Sequence, residues 1–254
     1  MNKQELRERV WDALEESGEA RFPFPPHGRI PNFAGAPEAA ERLAETDAWQ
    51  DAEVLKANPD APQLPVRRAA LHAGKRVYMA VPRLRDENPF LELDPAAIAP
   101  EDRDAAATLS HVDDYARQVG PDALPDVDLV VSGSVAVTES DWRIGKGEGY
   151  SDLEWAVLFE LGRVDSSTPV VTTVHERQVV GEEEAPAPEP HDVIIDLVVT
   201  PERVVDTGAS EKPTGIDWAL AAERVEEIPL LGRLATRRWR RRTRQRGRLT
   251  QVRL

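Results

Sequence analysis

The sequence predicts an α/β fold, an open and mostly parallel sheet with helices on both faces. Near-continuous Val/Ile/Leu runs recur along the chain, and stretches of helical periodicity separate them. That is the pattern of strands buried on both faces under crossover helices. A length of 254 residues with 41% hydrophobic content gives one large domain a substantial core and is too apolar for general disorder. The domain is expected over residues 1–228, followed by an arginine-rich tail over 229–254.

The first element is a helix in "KQELRERVWDALEES" (3–17), where Leu6, Val10, Trp11 and Leu14 form an apolar stripe. Lys3 and Arg7 stand four residues apart and so project from one face of it. The proline-rich stretch "FPFPPHGRIPNFAGAP" (22–37) must be extended or turning. A second helix is expected in "PEAAERLAETDAWQDA" (37–52), with Pro37 suited to its first turn. A third, around 64–73, precedes the candidate strand "KRVYMAVP" (75–82). Three more strands are expected in "DLVVSGSVAVT" (128–138), "PVVTTVH" (169–175) and "DVIIDLVVT" (192–200). A helix at 152–162 lies between the second and the third.

Charge is distributed unevenly. Residues 233–254 hold ten arginines and no acid, leaving 22 basic against 46 acidic residues in the rest of the chain, and only five lysines occur in all. An acidic, lysine-poor surface suits a high-salt cytosol, so a halophilic origin is one expectation and an acidic mesophilic enzyme the other. The final segment is too charged to pack and is expected outside the core, either solvated or in contact with nucleic acid or an acidic protein surface. Cysteine is absent, which excludes disulfides and thiolate metal sites. No apolar run is long enough for a membrane span, and the charged N-terminus lacks the apolar core of a signal peptide, so a cytoplasmic location is expected.

Chemistry concentrates in "WRIGKGEGYSDLE" (142–154), which joins a strand to a helix. Ligands of open parallel sheets collect at such strand ends. Gly145, Gly147 and Gly149 let backbone N–H groups converge on phosphate oxygens, and the following helix turns its positive end to the same place. Arg143 and Lys146 bring full charges, and Asp152 suits Mg²⁺. The spacing is neither that of a Walker A loop nor that of the dinucleotide fingerprint. An ordinary tight turn is the alternative, as a solvated helix face is for Lys3 and Arg7, and a packed ring for Tyr150. His175 and His191 read as structural.

"RIGKGEGYSDLE" resembles the R-(L/I)-G-x-G-x-G-Y-Y-D loop of the 5-formyltetrahydrofolate cyclo-ligase, or methenyltetrahydrofolate synthetase, family. "KQELR" resembles its N-terminal Lys-x-x-x-Arg pair, "AGKRVYMAVPRL" its Gly-Lys strand, "VDLVVSGSVAV" the strand entering the loop, and "HDVIIDLVVT" its closing His-Asp strand. The likeness is nearest to the branch of methenyltetrahydrofolate synthetase domain-containing proteins. The resemblance implies a cyclo-ligase-like α/β fold that uses ATP and Mg²⁺ to convert 5-formyltetrahydrofolate to 5,10-methenyltetrahydrofolate, by phosphorylating the formyl oxygen. It implies an ATP site of Lys3, Arg7, Arg143, Gly145, Lys146, Gly147, Gly149, Tyr150 and Ser151. It also implies catalytic work by Arg143, Lys146 and Tyr150, folate contacts from Asp60 and Tyr150, and Mg²⁺ on Asp152 and Asp192. The chain departs from the family pattern at Glu148 (a glycine there), at Ser151 (a tyrosine), and at "DAPQ" (60–63), where the family has E-V-D-T. An altered nucleotide- or folate-binding scaffold with an RNA-binding tail is the alternative function. Kinase-like chemistry on another formylated or carboxylated compound is a third.

Overall fold

The computed structural model describes residues 1–209 and 211–239. Its centre is an eight-stranded sheet. In chain order the strands of the molecule are β1 (Ala20–Arg21), β2 (Asn32–Phe33), β3 (Val54–Ala57), β4 (Arg76–Ala80), β5 (Phe90–Leu93) and β6 (Arg117–Val119). Then come β7 (Leu129–Val131), β8 (Ala136–Val137), β9 (Arg143–Ile144), β10 (Val170–Thr173), β11 (Leu197–Val199) and β12 (Val204–Asp206). The large sheet runs β12-β11-β10-β7-β3-β4-β5-β6. Its middle five strands are parallel, and the antiparallel pairs lie at the edges, β12 on one side and β5 and β6 on the other. The expected α/β architecture is therefore what the chain adopts.

Three elements differ from the sequence reading. The strand expected over 128–138 stops at Val131. Past Ser132, whose N–H reaches the Val171 carbonyl, the chain leaves the sheet at Gly133 and re-pairs as the β8–β9 ribbon. A side chain at Gly133 would meet Ile30 at 3.0 Å, so a residue with a Cβ would crowd this exit. The helix expected over 37–52 is two helices, Ala36–Ala44 and Asp47–Gln50, because Thr46 turns extended and its hydroxyl caps the second. The tail is corrected as well. Residues 229–239 are helical, and Leu230, Leu231 and Leu234 are buried in the main core beside Ile216, Ala221 and Ile228. Three leucines on one face outweigh the arginines, which reach outward to acids, as Arg237 does to Asp122 at 3.2 Å and Arg233 to Glu87. The core thus continues past 228. The bulk of the arginine cluster expected to meet nucleic acid, residues 240–254, lies outside the described residues.

The sheet carries a hydrophobic cluster on each face. One is built around Trp155 and Leu158 of the helix Tyr150–Glu160; the other lies under the helices Ala36–Ala44 and Leu64–His72. The N-terminal helix Lys3–Glu16 belongs to neither. Its stripe Leu6, Val10, Trp11 and Leu14 packs on Ala136, Trp142 and Ile144 of the β8–β9 ribbon. Asn2 caps it in a reciprocal box with Glu5, which fixes where the helix begins. This packing carries Lys3 and Arg7 to the ribbon that feeds the glycine loop. Among the described residues no helix is long and apolar enough to cross a membrane.

Candidate active site

The loop turns at Gly147 (φ +104°) and Gly149 (φ +67°), conformations that side chains other than glycine rarely adopt. Gly149 then leads directly into the helix Tyr150–Glu160. From Lys146 to Asp152 no main-chain N–H donates to another group among the described residues. An unbroken run of unspent donors at the start of an eleven-residue helix is an anion cradle. Arg7 closes one side, its Nε donating to the Gly145 carbonyl at 2.7 Å. The Arg7 pKa is lowered, first by burial and also by the Arg143 charge, against the pull of Asp192. A bound anion would relieve that excess of positive charge.

The other residues expected in the site divide into groups. Lys3 donates to Asp192 at 2.7 Å and to Glu189 at 3.0 Å. Burial pulls the Lys3 ammonium down, but these hydrogen bonds and charges more than reverse it and raise its pKa. Lys146 lies 2.8 Å from Glu148, whose carboxyl is lowered first by that hydrogen bond and also by the charges of Lys146, Arg83 and Arg224. The carboxylate that stands where the family has glycine is therefore neutralised by cations. The ring of Tyr150 is covered by Arg224 at 4.9 Å, and Arg224 donates to the Glu148 carbonyl at 2.7 Å.

Arg143 is buried at the base of the loop, 4% exposed; Nε and NH2 donate to the Gly133 carbonyl at 3.1 and 2.8 Å, and NH1 donates to Asp152 at 3.1 Å. Each nitrogen thus spends one N–H inside the protein, which positions the loop and Asp152, while the side chain also lines the polar cavity. The two expected metal ligands are held by different partners, and each keeps one oxygen without a hydrogen bond among the described residues. Asp152 Oδ1 accepts from Arg143 and from the Val193 N–H, while its Oδ2 has no protein partner among the described residues. Asp192 Oδ2 instead accepts from Lys3 and from the Glu189 N–H. A hard cation that takes one or two carboxylates together with phosphate oxygens and water fits Asp152. Asp192 holds Lys3. His191, read as structural, stands 3.6 Å from Glu189 and 3.8 Å from Asp192 beside them.

Glu148, Gly149 and Asp152 form a wall shared by two cavities. One, of about 300 Å³, is apolar on its far side, with Leu153, Ala156, Ile216, Leu220 and Ala221. The other, of about 340 Å³, is lined by Asn58, Asp60, Arg83, Lys146, Tyr150 and Ser151 among others. Asp60 enters it beside Gly133, where a Cβ would sit 3.2 Å from the Asp60 carboxylate. Burial pushes the Asp60 carboxyl above its ordinary value, against Lys146, Arg67, Lys56 and Arg143. Folding thus disfavours the charged form of Asp60. Its burden is absent while the carboxyl is protonated in folded and unfolded chains alike; it grows as pH rises past the ordinary carboxyl value, where the unfolded chain ionises first, and is complete above the folded pKa. Asp60→Asn is expected to match wild type at low pH and to gain thermal stability over it as pH rises above about 4. Melting curves across that range check this, and a gap that narrows with rising pH contradicts it.

Sequence reasoning missed several residues of this site. Arg224 and Arg83 gave no signal, because nothing near them in the chain marks them as site residues. The buried pair Lys56–Glu154 and its neighbour Asn58 did leave one: a lone lysine inside the apolar run "VLKAN", in a chain with only five lysines.

Known proteins share this frame. A sequence model of the 5-formyltetrahydrofolate cyclo-ligase family matches residues 1–201. The chain is 46% identical over 240 residues to the methenyltetrahydrofolate synthase domain-containing protein of Mus musculus, covering 93% of this chain and 64% of that protein. Identity to the Homo sapiens protein of the same name is 42% over 240 residues, covering 93% and 62%. The chain thus spans less than two thirds of the length of these relatives. In fold it is similar to the solution structure of the Aquifex aeolicus 5,10-methenyltetrahydrofolate synthetase, with a TM-score of 0.51 and 19% identity over 84% of this chain and 96% of that one. The wall formed by residues 215–224 lies beyond the matched residues. With a match over most of its length and relatives above 40% identity, the chain belongs to the 5-formyltetrahydrofolate cyclo-ligase family.

Proposed function

We propose that this chain binds Mg-ATP on the glycine loop and uses it to close 5-formyltetrahydrofolate to 5,10-methenyltetrahydrofolate. The run of unspent N–H groups from Lys146 to Asp152, flanked by Arg7 and Lys146, carries this reading. A triphosphate lying along the loop has donors for its oxygens, the helix N-terminus behind them and cations on both sides. The apolar cavity of Leu153, Ile216 and Leu220 suits the base, and the polar cavity of Asp60, Tyr150 and Ser151 suits the formylated substrate.

The chemistry asks the protein for position and charge more than for covalent work. The formyl oxygen attacks the γ-phosphorus and ADP leaves; N10 then adds to the activated carbon and gives up its proton to water, and the oxygen departs with the phosphate. Lys146 and Arg7 offset charge on the phosphoryl oxygens, and Lys3 stands close by, held by Asp192 and Glu189. Asp152, through its free oxygen, would hold Mg²⁺, which neutralises charge between phosphates when bound. Asp60 and Tyr150 face the folate side. The expected result is that 5-formyltetrahydrofolate with Mg-ATP yields the methenyl product's absorbance and ADP in equal amounts. A folded protein that yields neither product at low or high salt overturns the proposal.

A further inference from the structure

At the floor of the polar cavity four side chains form a chain of hydrogen bonds whose direction is set from one end. Lys56 is 2% exposed and its ammonium can only donate; it donates to Glu154 and, at 2.9 Å, to Asn58 Oδ1. With its carbonyl taken by a cation, the Asn58 amide has one orientation, and Nδ2 donates to Ser151 Oγ at 2.7 Å. The main chain of Asn58 is anchored as well: its N–H reaches the Val131 carbonyl and its backbone carbonyl accepts from the buried Arg67. Ser151 Oγ therefore receives a hydrogen bond from below. Its own proton has no acceptor among the described residues, and Ser151 lines the cavity. The buried cation thus leaves this hydroxyl with one lone pair taken and its proton free to donate toward whatever occupies the space.

We propose that Ser151 is a specificity-determining donor to an acceptor oxygen of the formylated substrate, and that Lys56 and Asn58 set the direction in which it donates. The inference rests on the polar cavity being the substrate's site. It goes beyond that reading by giving Ser151 a substrate contact, where the resemblance gave it a place in the ATP site. A hydroxyl with one lone pair already taken and its proton free favours carbonyl and phosphoryl oxygens over an N–H or O–H at the same point.

Asn58→Asp separates direction from mere presence. A carboxylate only accepts, so it still receives Lys56 but now takes the Ser151 proton, turning the hydroxyl into an acceptor toward the cavity. Equilibrium affinities for 5-formyltetrahydrofolate and for Mg-ATP are measured on the full chain. Ser151→Ala is expected to weaken folate binding about 5- to 10-fold, the worth of one hydrogen bond. Mg-ATP affinity should stay within about twofold and Ser151→Thr should restore the folate. Ser151→Ala removes no helix cap, since Gly149 is the residue before the helix, and its melting curve is measured alongside because Asn58 Nδ2 loses its acceptor. Asn58→Asp should weaken the folate by a similar factor, with little further loss when it is added to Ser151→Ala. Independent, multiplying losses in the double variant overturn the directional role of Asn58. Full folate affinity in Ser151→Ala overturns the whole inference while the proposed function stands. A wild-type chain that binds Mg-ATP but no folate overturns both.

Discussion

Lys56→Met is expected to lower the thermal midpoint by about 6–20 °C, and Lys56→Met with Glu154→Leu to recover most of that loss. Lys56 occupies β3 in the middle of the parallel sheet, 2% exposed, and its partner Glu154 in the helix Tyr150–Glu160 is 6% exposed. Removing one member of such a pair leaves the other charge buried without compensation, which costs about 3–5 kcal/mol. A chain of this size loses roughly 2–4 °C per kcal/mol. Replacing both members by apolar side chains of similar volume removes the desolvation burden with the attraction and is often neutral or stabilising. Differential scanning calorimetry on the two variants decides the matter. A double variant no more stable than Lys56→Met would mean that the pair holds the structure by its geometry and not only by charge balance. The pair also aims Asn58, so the double variant should keep its stability while losing folate affinity as Ser151→Ala does.

The same pair shows what the sequence made legible and what it hid. The strands β4, β7, β10 and β11 stood out as near-continuous buried runs, rich in Val and Leu, because both of their faces are covered. β3 lies between β7 and β4 but did not stand out, because its four residues include the lysine and offer too short a run for a period to emerge. The edge strands β6 and β12 were hidden differently: each has a single neighbour, and Arg117 and Asp206 interrupt the apolar pattern, while β5, paired on both sides, is interrupted by the buried Glu92, which accepts from Tyr78 and Arg117. Within the site, the loop glycines and the Lys3/Arg7 pair could be read because their meaning lies in local spacing. Lys56 meets its partner 98 residues away, and Arg224 meets the Glu148 carbonyl 76 residues away. Only the closed fold brings such pairs together. The arginine-rich end misled for the opposite reason. Its charge count concealed three leucines on one helical face, and those decide the packing of 229–239.

Arg143→Lys is expected to reduce kcat/KM by about 100-fold or more and to weaken Mg-ATP binding, because the guanidinium's main task is to hold the loop in place. The side chain is a bracket between two loops. Two of its nitrogens hold the Gly133 carbonyl at the point where the chain leaves the sheet, and the third holds Asp152 in the first turn of the loop helix. The loop between them has little else to fix it, since its N–H groups from Lys146 to Asp152 make no internal bonds among the described residues. A lysine keeps the charge but has no planar fork to serve both partners, so either the Gly133 carbonyl or Asp152 is released. A buried carbonyl left without a donor costs about 1–3 kcal/mol of stability. Displacing catalytic groups by about 1 Å commonly costs 100-fold in rate. Arg143→Ala should lose still more and regain part of its activity with added guanidinium, which fits the vacated slot between the Gly133 carbonyl and Asp152. If Arg143 were instead a direct phosphate ligand, lysine would substitute with only a modest rise in the KM for Mg-ATP. A Lys variant within about threefold of wild type in kcat, with unchanged thermal stability, would place the guanidinium on the nucleotide and remove its positioning role.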